Sequence, residues 1–242
     1  AIPTVQWIVI GYALAISALL LPMGRLADLI GLKRVYLLGS LVYVLGAIAV
    51  GASTNLTVLI LSRLVQGGGA AMTQGTGMAI VIAAFPASER GKAVGSMMSI
   101  VGIGAIFGPA VGGFLVDALG WRSVFFANIP PMAIGIALGL AILVNQVDRG
   151  ETGRGVGFDW LGAALSTGAL LILLLTITHG HRAGWTSPLI LLATLVFLIL
   201  LGTFIWWEGR YSSPLLELKL FQRPTFSFAV VAGFLIFLGS SA

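Results

Sequence analysis

Residues 93–116 have the sequence AVGSMMSIVGIGAIFGPAVGGFLV, which contains no charged side chain. About 20 helical residues, each rising about 1.5 Å, cross the ~30 Å hydrocarbon core of a bilayer, so this stretch is long enough to span it. Backbone amides inside a bilayer find no water, and a helix satisfies them internally. The stretch therefore predicts a membrane-spanning helix.

The rest of the chain repeats this pattern. Of its 242 residues, 58% are hydrophobic and 9% are charged, whereas soluble domains have about 25% charged residues. The apolar runs are continuous rather than short and alternating, which excludes the strands of a barrel. We predict an all-α integral membrane protein with eight spans, at 4–24, 35–52, 56–85, 92–117, 124–145, 160–179, 186–207 and 225–242.

The basic residues between these spans favour one side of the membrane. That side holds Arg25, Lys33, Arg34, Arg90, Lys92, Arg149, Arg154, Arg210, Lys219 and Arg223. The other side holds Arg122 and Arg182. Because short loops rich in Lys and Arg stay in the cytoplasm, we expect a multi-pass protein of the cell (plasma or inner) membrane with its basic loops inside. The net charge of +5 therefore does not indicate nucleic-acid binding.

Two connecting segments have similar sequences. Residues 24–36, GRLADLIGLKRVY, align without gaps on residues 113–125, GFLVDALGWRSVF. The two copies follow the first and fourth spans and so lie on opposite sides of the membrane. Inverted three-helix repeats are a plan of secondary transporters, with the substrate path between the repeats. Chance similarity of Gly-rich loops is the alternative. If the repeat is real, either a first helix is missing from this chain or the register differs.

Arg63 is the only formal charge well inside a predicted span. An arginine at the bilayer centre costs about 2.5–3.5 kcal/mol on insertion scales, so it should face the bundle interior or a wet cavity. Gln66, Ala70 and Gln74 follow on the same helical face. We interpret Arg63 as a charge that senses proton and substrate occupancy. The alternative is a structural arginine that snorkels outward or binds backbone carbonyls.

The fourth span combines small residues with a proline. The pattern consists of Gly95, Gly104, Gly108, Pro109, Gly112 and Gly113. Small residues four apart form a smooth face on which another helix can pack closely, and a proline weakens the helix where it lies. We expect this span to bend and to act in gating, although generic packing would explain the glycines alone.

The segment between the first two spans is predicted to be a tight loop. Gly24 and Gly31 permit a sharp turn, and Asp28 is expected to accept hydrogen bonds from Lys33, from Arg34 or from a helix N-terminus. A simple basic loop is the alternative, but such a loop needs neither the carboxylate nor the glycine spacing.

Other motifs give weaker signals. His179 and His181 are predicted to lie in a solvated outer loop rather than in a metal site. The run Gly67-Gly68-Gly69 follows no strand, so it does not indicate a nucleotide site, and no Walker motif is present. The absence of cysteine excludes disulfides and thiolate metal sites. We predict neither an enzyme nor a metalloprotein.

These motifs resemble those of the major facilitator superfamily, and specifically the fourteen-helix drug:proton antiporters (the EmrB/QacA-like group). Residues 24–34 resemble the loop signature between helices two and three. Residues 61–70, LSRLVQGGGA, resemble the signature of helix four, whose arginine, here Arg63, is implicated in proton coupling. Residues 95–113 have the spacing of the antiporter signature of helix five, and residues 120–130 resemble the entry to helix six.

The resemblance also has departures. Leu29 and Leu32 stand where the loop signature usually has basic residues. The chain would cover helices two to nine as a fragment, without helix one and the acidic residue that the family sets near the arginine. Residues 1–145 would form the first transporter half, residues 146–207 a cytoplasmic linker with two additional helices, and residues 208–242 a linker and the start of the second half.

The resemblance implies proton-driven export of a hydrophobic, cationic or amphipathic compound by alternating access. Arg63 would couple proton binding to transport, with Gln66, Thr73 and Gln74 near the substrate path. The proton gradient would supply the energy without a cofactor, and the protein would work as a monomer in the lipid bilayer. The alternatives are a lipid or metabolite exporter of the same family, a non-transporting membrane sensor or scaffold, and a channel.

Overall fold

A computed structural model describes residues 2–143 and 157–241 of the chain. By internal packing the chain divides into two compact units, Ala1–Gly155 and Val156–Ala242. The described residues form helices and contain no strand. The predicted all-α membrane fold is confirmed, whereas the predicted boundaries after residues 145 and 207 stay predictions. The end of the fifth predicted span, Arg149 and Arg154 lie outside the described residues.

The first unit contains six helices within its described part. They are α1 (Ile2–Ile30), α2 (Leu32–Gly51), α3 (Leu56–Ala84), α4 (Arg90–Leu119), α5 (Arg122–Phe126) and α6 (Ile129–Ile142). The predicted fifth span is thus divided into two helices. Asn128 ends the break between them, and a proline stands in the first turn of α6, where its missing amide hydrogen is tolerated.

The described part of the second unit contains α7 (Trp160–Ala183), α8 (Pro188–Glu208), a 3₁₀ helix (Leu218–Gln222) and α9 (Pro224–Ser241). Across the described residues of both units, seven segments are long and apolar enough to cross a membrane, with α5 and α6 counted as one. The predicted eighth span falls in α9, whose apolar part among these residues is Pro224–Leu235.

Polar side chains begin three of the helices. Asn55 accepts a hydrogen bond from the Val58 amide at the start of α3. Asp159 accepts one from the Gly162 amide at the start of α7, and Ser187 caps α8. Such caps satisfy amides that have no partner within the helix, and they fix where each helix begins.

Glycines allow α1, α2 and α3 to pack closely. A methyl group at Gly67 would lie 2.8 Å from the Tyr12 carbonyl oxygen of α1, and one at Gly69 would lie 2.7 Å from the Gly39 carbonyl oxygen of α2. The run Gly67-Gly68-Gly69 is therefore a packing surface.

The two copies of the repeated sequence have the same backbone turn. α1 ends before Gly31, whose φ is 102°, and α4 ends before Gly120, whose φ is 82°. Each glycine amide donates to the carbonyl four residues earlier, over 2.9 Å in both cases. Because only glycine adopts such angles without strain, the repeat sets a sharp helix end at equivalent positions. The predicted loop, however, is wrong for residues 24–30, which continue α1.

Candidate functional site

The Arg63 guanidinium lies half-buried between three helices. Its Nε donates to the Ile8 carbonyl oxygen of α1 over 3.0 Å, and its Nη1 donates to Gln66 Oε1 on α3 over 2.8 Å. Its Cζ lies 4.6 Å from the centre of the Tyr12 ring and 5.0 Å from the centre of the Phe125 ring on α5. Aromatic faces attract cations, and more strongly where water is excluded.

Gln66 joins this arrangement to α2. Its side chain is 1% exposed, and α2 approaches it so closely that a methyl group at Gly46 would lie 2.7 Å from Gln66 Cβ. The Tyr43 hydroxyl of α2 interacts with both Tyr12 and Gln66. We name Arg63, Gln66, Tyr12, Tyr43 and Phe125 the Arg63 cluster.

Among the described residues, the Arg63 guanidinium contacts a carbonyl, an amide oxygen and two rings, but no carboxylate. The hydrogen bond from Arg63 to the Ile8 carbonyl agrees with the alternative of a structural arginine that binds backbone carbonyls. The contact between Arg63 and Gln66 agrees with the predicted polar face of α3. Both interpretations of Arg63 therefore remain open, and its role in proton coupling stays a prediction.

The other substrate-path candidates lie outside the cluster. Thr73 donates its hydroxyl to the Gly69 and Ala70 carbonyls of its own helix, over 3.2 and 3.0 Å. Gln74 is exposed. Of the three predicted candidates, Gln66 contacts Arg63, and the roles of Thr73 and Gln74 stay predictions.

The Gly/Pro pattern lies on an uncovered helix. α4 has no buried residue, and methyl groups at Gly95, Gly104, Gly108, Gly112 and Gly113 would meet no atom within 4 Å. Within the described part of the first unit, no helix packs on this face. α4 continues through Pro109 from Arg90 to Leu119, so Pro109 does not end the helix. The gating role of the pattern stays a prediction.

The segment after Gly24 has partners that the sequence did not predict. Asp28 forms an ion pair with Arg25 at 3.7 Å, one turn earlier on α1. Lys33 instead donates to the Leu140 carbonyl at the end of α6 over 3.0 Å. α1 continues as a helix to Ile30 and so places Arg25 on the same face as Asp28. The expectation that Asp28 accepts hydrogen bonds from Lys33, from Arg34 or from a helix N-terminus stays a prediction.

The second unit has a polar cluster where α7 begins and α8 ends. The Trp207 indole donates to Asp159 over 3.0 Å, and Asp159 is 2% exposed. Glu208, 3% exposed, accepts from the Leu216 amide over 3.1 Å. Sequence reasoning missed this cluster, although an aspartate directly before an apolar run is a usual signal of a helix cap. The described residues contain no group of three His, Cys, Asp or Glu side chains arranged to hold a metal.

Comparison with known proteins gives one family. A family model described as Major Facilitator Superfamily matches residues 1–242. The multidrug resistance protein Stp of Mycobacterium tuberculosis is 35% identical over 93% of this chain and 41% of its own length. The riboflavin transporter RibZ of Clostridioides difficile is 34% identical over 95% of the chain and 48% of its own length.

The methylenomycin A resistance protein of Bacillus subtilis is also 34% identical, over 96% of the chain and 49% of its own length. The chain thus spans less than half the length of each of these three relatives. The predicted family resemblance is confirmed, and the names of the relatives agree with the prediction of a transporter rather than an enzyme.

Proposed function

Because this chain belongs to the Major Facilitator Superfamily, we propose that the full-length protein is a proton-coupled exporter of hydrophobic or amphipathic small molecules that works by alternating access. Protons would enter the cell as the compound leaves it, and the proton gradient would supply the energy. The protein would act in the cell membrane, with its basic loops in the cytoplasm.

The Arg63 cluster is the observation that supports this proposal most directly. A half-buried guanidinium in an apolar span contacts a carbonyl, an amide oxygen and two rings among the described residues, so its positive charge is balanced by no carboxylate there. Such a charge responds strongly to the protonation of a nearby acid, because Coulomb interactions are strong where water is excluded. An ionisable group within a membrane span is by default a hypothesis for a functional site.

The relatives bear on the substrate. Stp and the methylenomycin A resistance protein have names that refer to drug resistance, which favours export of drugs. RibZ is named as a riboflavin transporter, and this supports transport of a metabolite as a second candidate. Both candidates use the same site and the same coupling, so they differ in substrate rather than in mechanism.

Transport by the purified full-length protein in liposomes tests the proposal. An imposed pH gradient should drive accumulation of a fluorescent hydrophobic cation, and Arg63→Ala should abolish this accumulation. Arg63→Lys should restore part of it at best, because an ammonium lacks the planar donor geometry of a guanidinium. Arg223→Ala, which removes an exposed positive charge, is the matched control and should retain transport.

Accumulation by well-folded Arg63→Ala protein at the wild-type rate would show that Arg63 is structural. No transport of any tested compound by the wild type would favour the sensor or scaffold. Competition by unlabelled riboflavin but not by drugs would favour the metabolite transporter.

A further inference from the structure

We propose that Phe125 is a positioning residue for Arg63, and that the short helix α5 is anchored on the end of α2 in order to hold it there. The inference rests on the proposed function of Arg63 in proton coupling. It concerns a different helix and a residue with no titratable group.

Arg122 provides the first anchor of α5. Its Nη2 donates to the Ser53 carbonyl oxygen, just beyond the end of α2, over 3.0 Å. Ser53 is 4% exposed and its hydroxyl donates to the Val50 carbonyl over 2.7 Å, so the acceptor is itself held in place. A cation at the C-terminal end of a helix also interacts favourably with the helix dipole.

Phe126 provides the second anchor. A methyl group at Gly51, the last residue of α2, would lie 2.6 Å from Phe126 Cζ. The ring therefore occupies the space that any larger residue at position 51 would need. With Arg122 and Phe126 both fixed on the end of α2, the backbone at Phe125 between them has little freedom.

The Phe125 ring lies over the Arg63 guanidinium. Its ring centre is 5.0 Å from the guanidinium carbon, and the Tyr12 ring centre is 4.6 Å from the same atom. Besides Phe125 and the Ile8 carbonyl, the groups of the described residues that face Arg63 are Tyr12 from α1, Tyr43 from α2 and Gln66 from α3 itself. The titratable members of this set are the two tyrosines. Phe125 thus contributes the attraction of an aromatic face without a charge or a proton of its own.

The equivalent copy of the repeat supports the anchoring role. Lys33, which aligns with Arg122, donates to the Leu140 carbonyl near the end of α6 over 3.0 Å. Tyr36, which aligns with Phe125, lies against α6, since its hydroxyl would be 3.0 Å from a methyl group at Gly135. The first copy therefore fixes the start of α2 on the end of α6, and the second copy fixes the start of α5 on the end of α2. In the second copy the aromatic residue additionally reaches Arg63.

The test measures the pH dependence of transport by the full-length protein in liposomes. Phe125→Leu keeps apolar bulk but removes the aromatic face, so Arg63 is held less firmly. It then stabilises less well the anionic form of the acid that the proposed function couples to it, an acid outside the described residues. A proton then binds that anion at higher pH. We expect the midpoint of the pH profile to move upward by about 0.5–1 pH unit. Phe125→Tyr, which keeps the ring, should retain the wild-type midpoint.

Phe126→Leu is the matched control, since it alters the neighbouring aromatic residue that contacts Gly51 and not Arg63. Because it weakens one of the two anchors but keeps the ring over Arg63, it should lower thermal stability and move the pH midpoint upward by less than Phe125→Leu does. In an Arg63→Lys background, Phe125→Leu should add a smaller shift than it does alone, because the two residues act through one contact.

If folded Phe125→Leu protein has the wild-type midpoint, while the separate variant Arg63→Ala has lost coupling, the positioning role is overturned and the proposed function stands. Full coupling in Arg63→Ala would overturn the proposed function itself. Equal midpoint shifts in Phe125→Leu and Phe126→Leu would show that loosening of α5, rather than the contact with Arg63, causes the effect. If Phe125→Leu fails to fold, an upward shift in Phe125→Met supports the role and an unchanged midpoint there overturns it.

Discussion

Substitution of Gly46 by alanine should destabilise the protein through the contact between α2 and α3. The new methyl group would lie 2.7 Å from Gln66 Cα and Cβ and 2.8 Å from the Gln66 amide nitrogen. Ordinary contact begins at 3.4 Å, so the helices must separate by about 0.7 Å, and backbone atoms cannot rotate away. Overpacking of this kind costs about 1–3 kcal/mol. Alanine recovers up to about 1 kcal/mol through its higher helix propensity, which leaves a net loss of up to about 2 kcal/mol when the recovery is complete.

Gly68→Ala is the matched control on the facing helix. Its methyl group would lie 3.6 Å from Leu19 Cδ1, an ordinary contact, so the propensity gain of up to about 1 kcal/mol should remain. The two variants should differ by about 2 kcal/mol, and Gly46→Ala should have the lower melting temperature. Thermal unfolding of the purified full-length protein in detergent measures this difference.

The same substitution should also impair coupling, because Gln66 is displaced from its 2.8 Å bond to Arg63 Nη1. Transport by Gly46→Ala should therefore fall more than its stability accounts for at a temperature where the variant is folded. Equal melting temperatures for Gly46→Ala and Gly68→Ala would refute the close packing of α2 on α3. Equal transport would separate Gln66 from the coupling role.

Three further predictions concern other parts of the chain. Single cysteines at Leu32 and Ala87 should react with an impermeant thiol reagent only from the cytoplasm, and those at Thr54 and Ala183 only from outside; reversed labelling would overturn the sidedness drawn from the basic loops. Gly108→Leu should abolish transport because a branched side chain disturbs close helix packing. Pro109→Ala should fold but transport slowly because it restores a helix hydrogen bond. Wild-type efflux from both variants would show that α4 has no gating role. Asp159→Ala should lower the melting temperature more than Ser187→Ala does. Asp159 is 2% exposed and accepts hydrogen bonds from both Gly162 and Trp207, whereas Ser187 accepts one bond of 3.4 Å. Equal effects would show that Asp159 is an ordinary helix cap worth about 1 kcal/mol.

The positions of the helices could be predicted from sequence because charged residues interrupt the apolar runs. The predicted span 56–85 corresponds to Leu56–Ala84, and the span 92–117 lies within Arg90–Leu119. The prediction ended the first span at residue 24, whereas α1 continues to Ile30. A charged residue marks where a helix leaves the apolar core, but the helix continues until a residue such as Gly31 breaks the backbone pattern.

The candidate site could be predicted only in part. Helical spacing places Gln66 beside Arg63, since residues three apart share a face, and the structure has this contact. Tyr12, Tyr43 and Phe125 come from three other helices, and periodicity within one helix gives no information about which side chain of another helix approaches it. The alignment of Phe125 with Tyr36 indicated an equivalent position, but it could not indicate that Phe125 reaches Arg63.

The uncovered face of α4 gives a further argument about the Gly/Pro pattern. A helix that faces lipid needs apolar bulk, and each glycine in a helix costs up to about 1 kcal/mol relative to alanine. Glycines at 104, 108 and 112 therefore destabilise α4 unless close contact with another helix offsets this cost, as small residues do within membranes. The described residues place no atom within 4 Å of methyl groups at these positions. We predict that a neighbouring helix outside the described part of the first unit supplies this contact in the full-length protein, and Gly108→Leu tests the prediction.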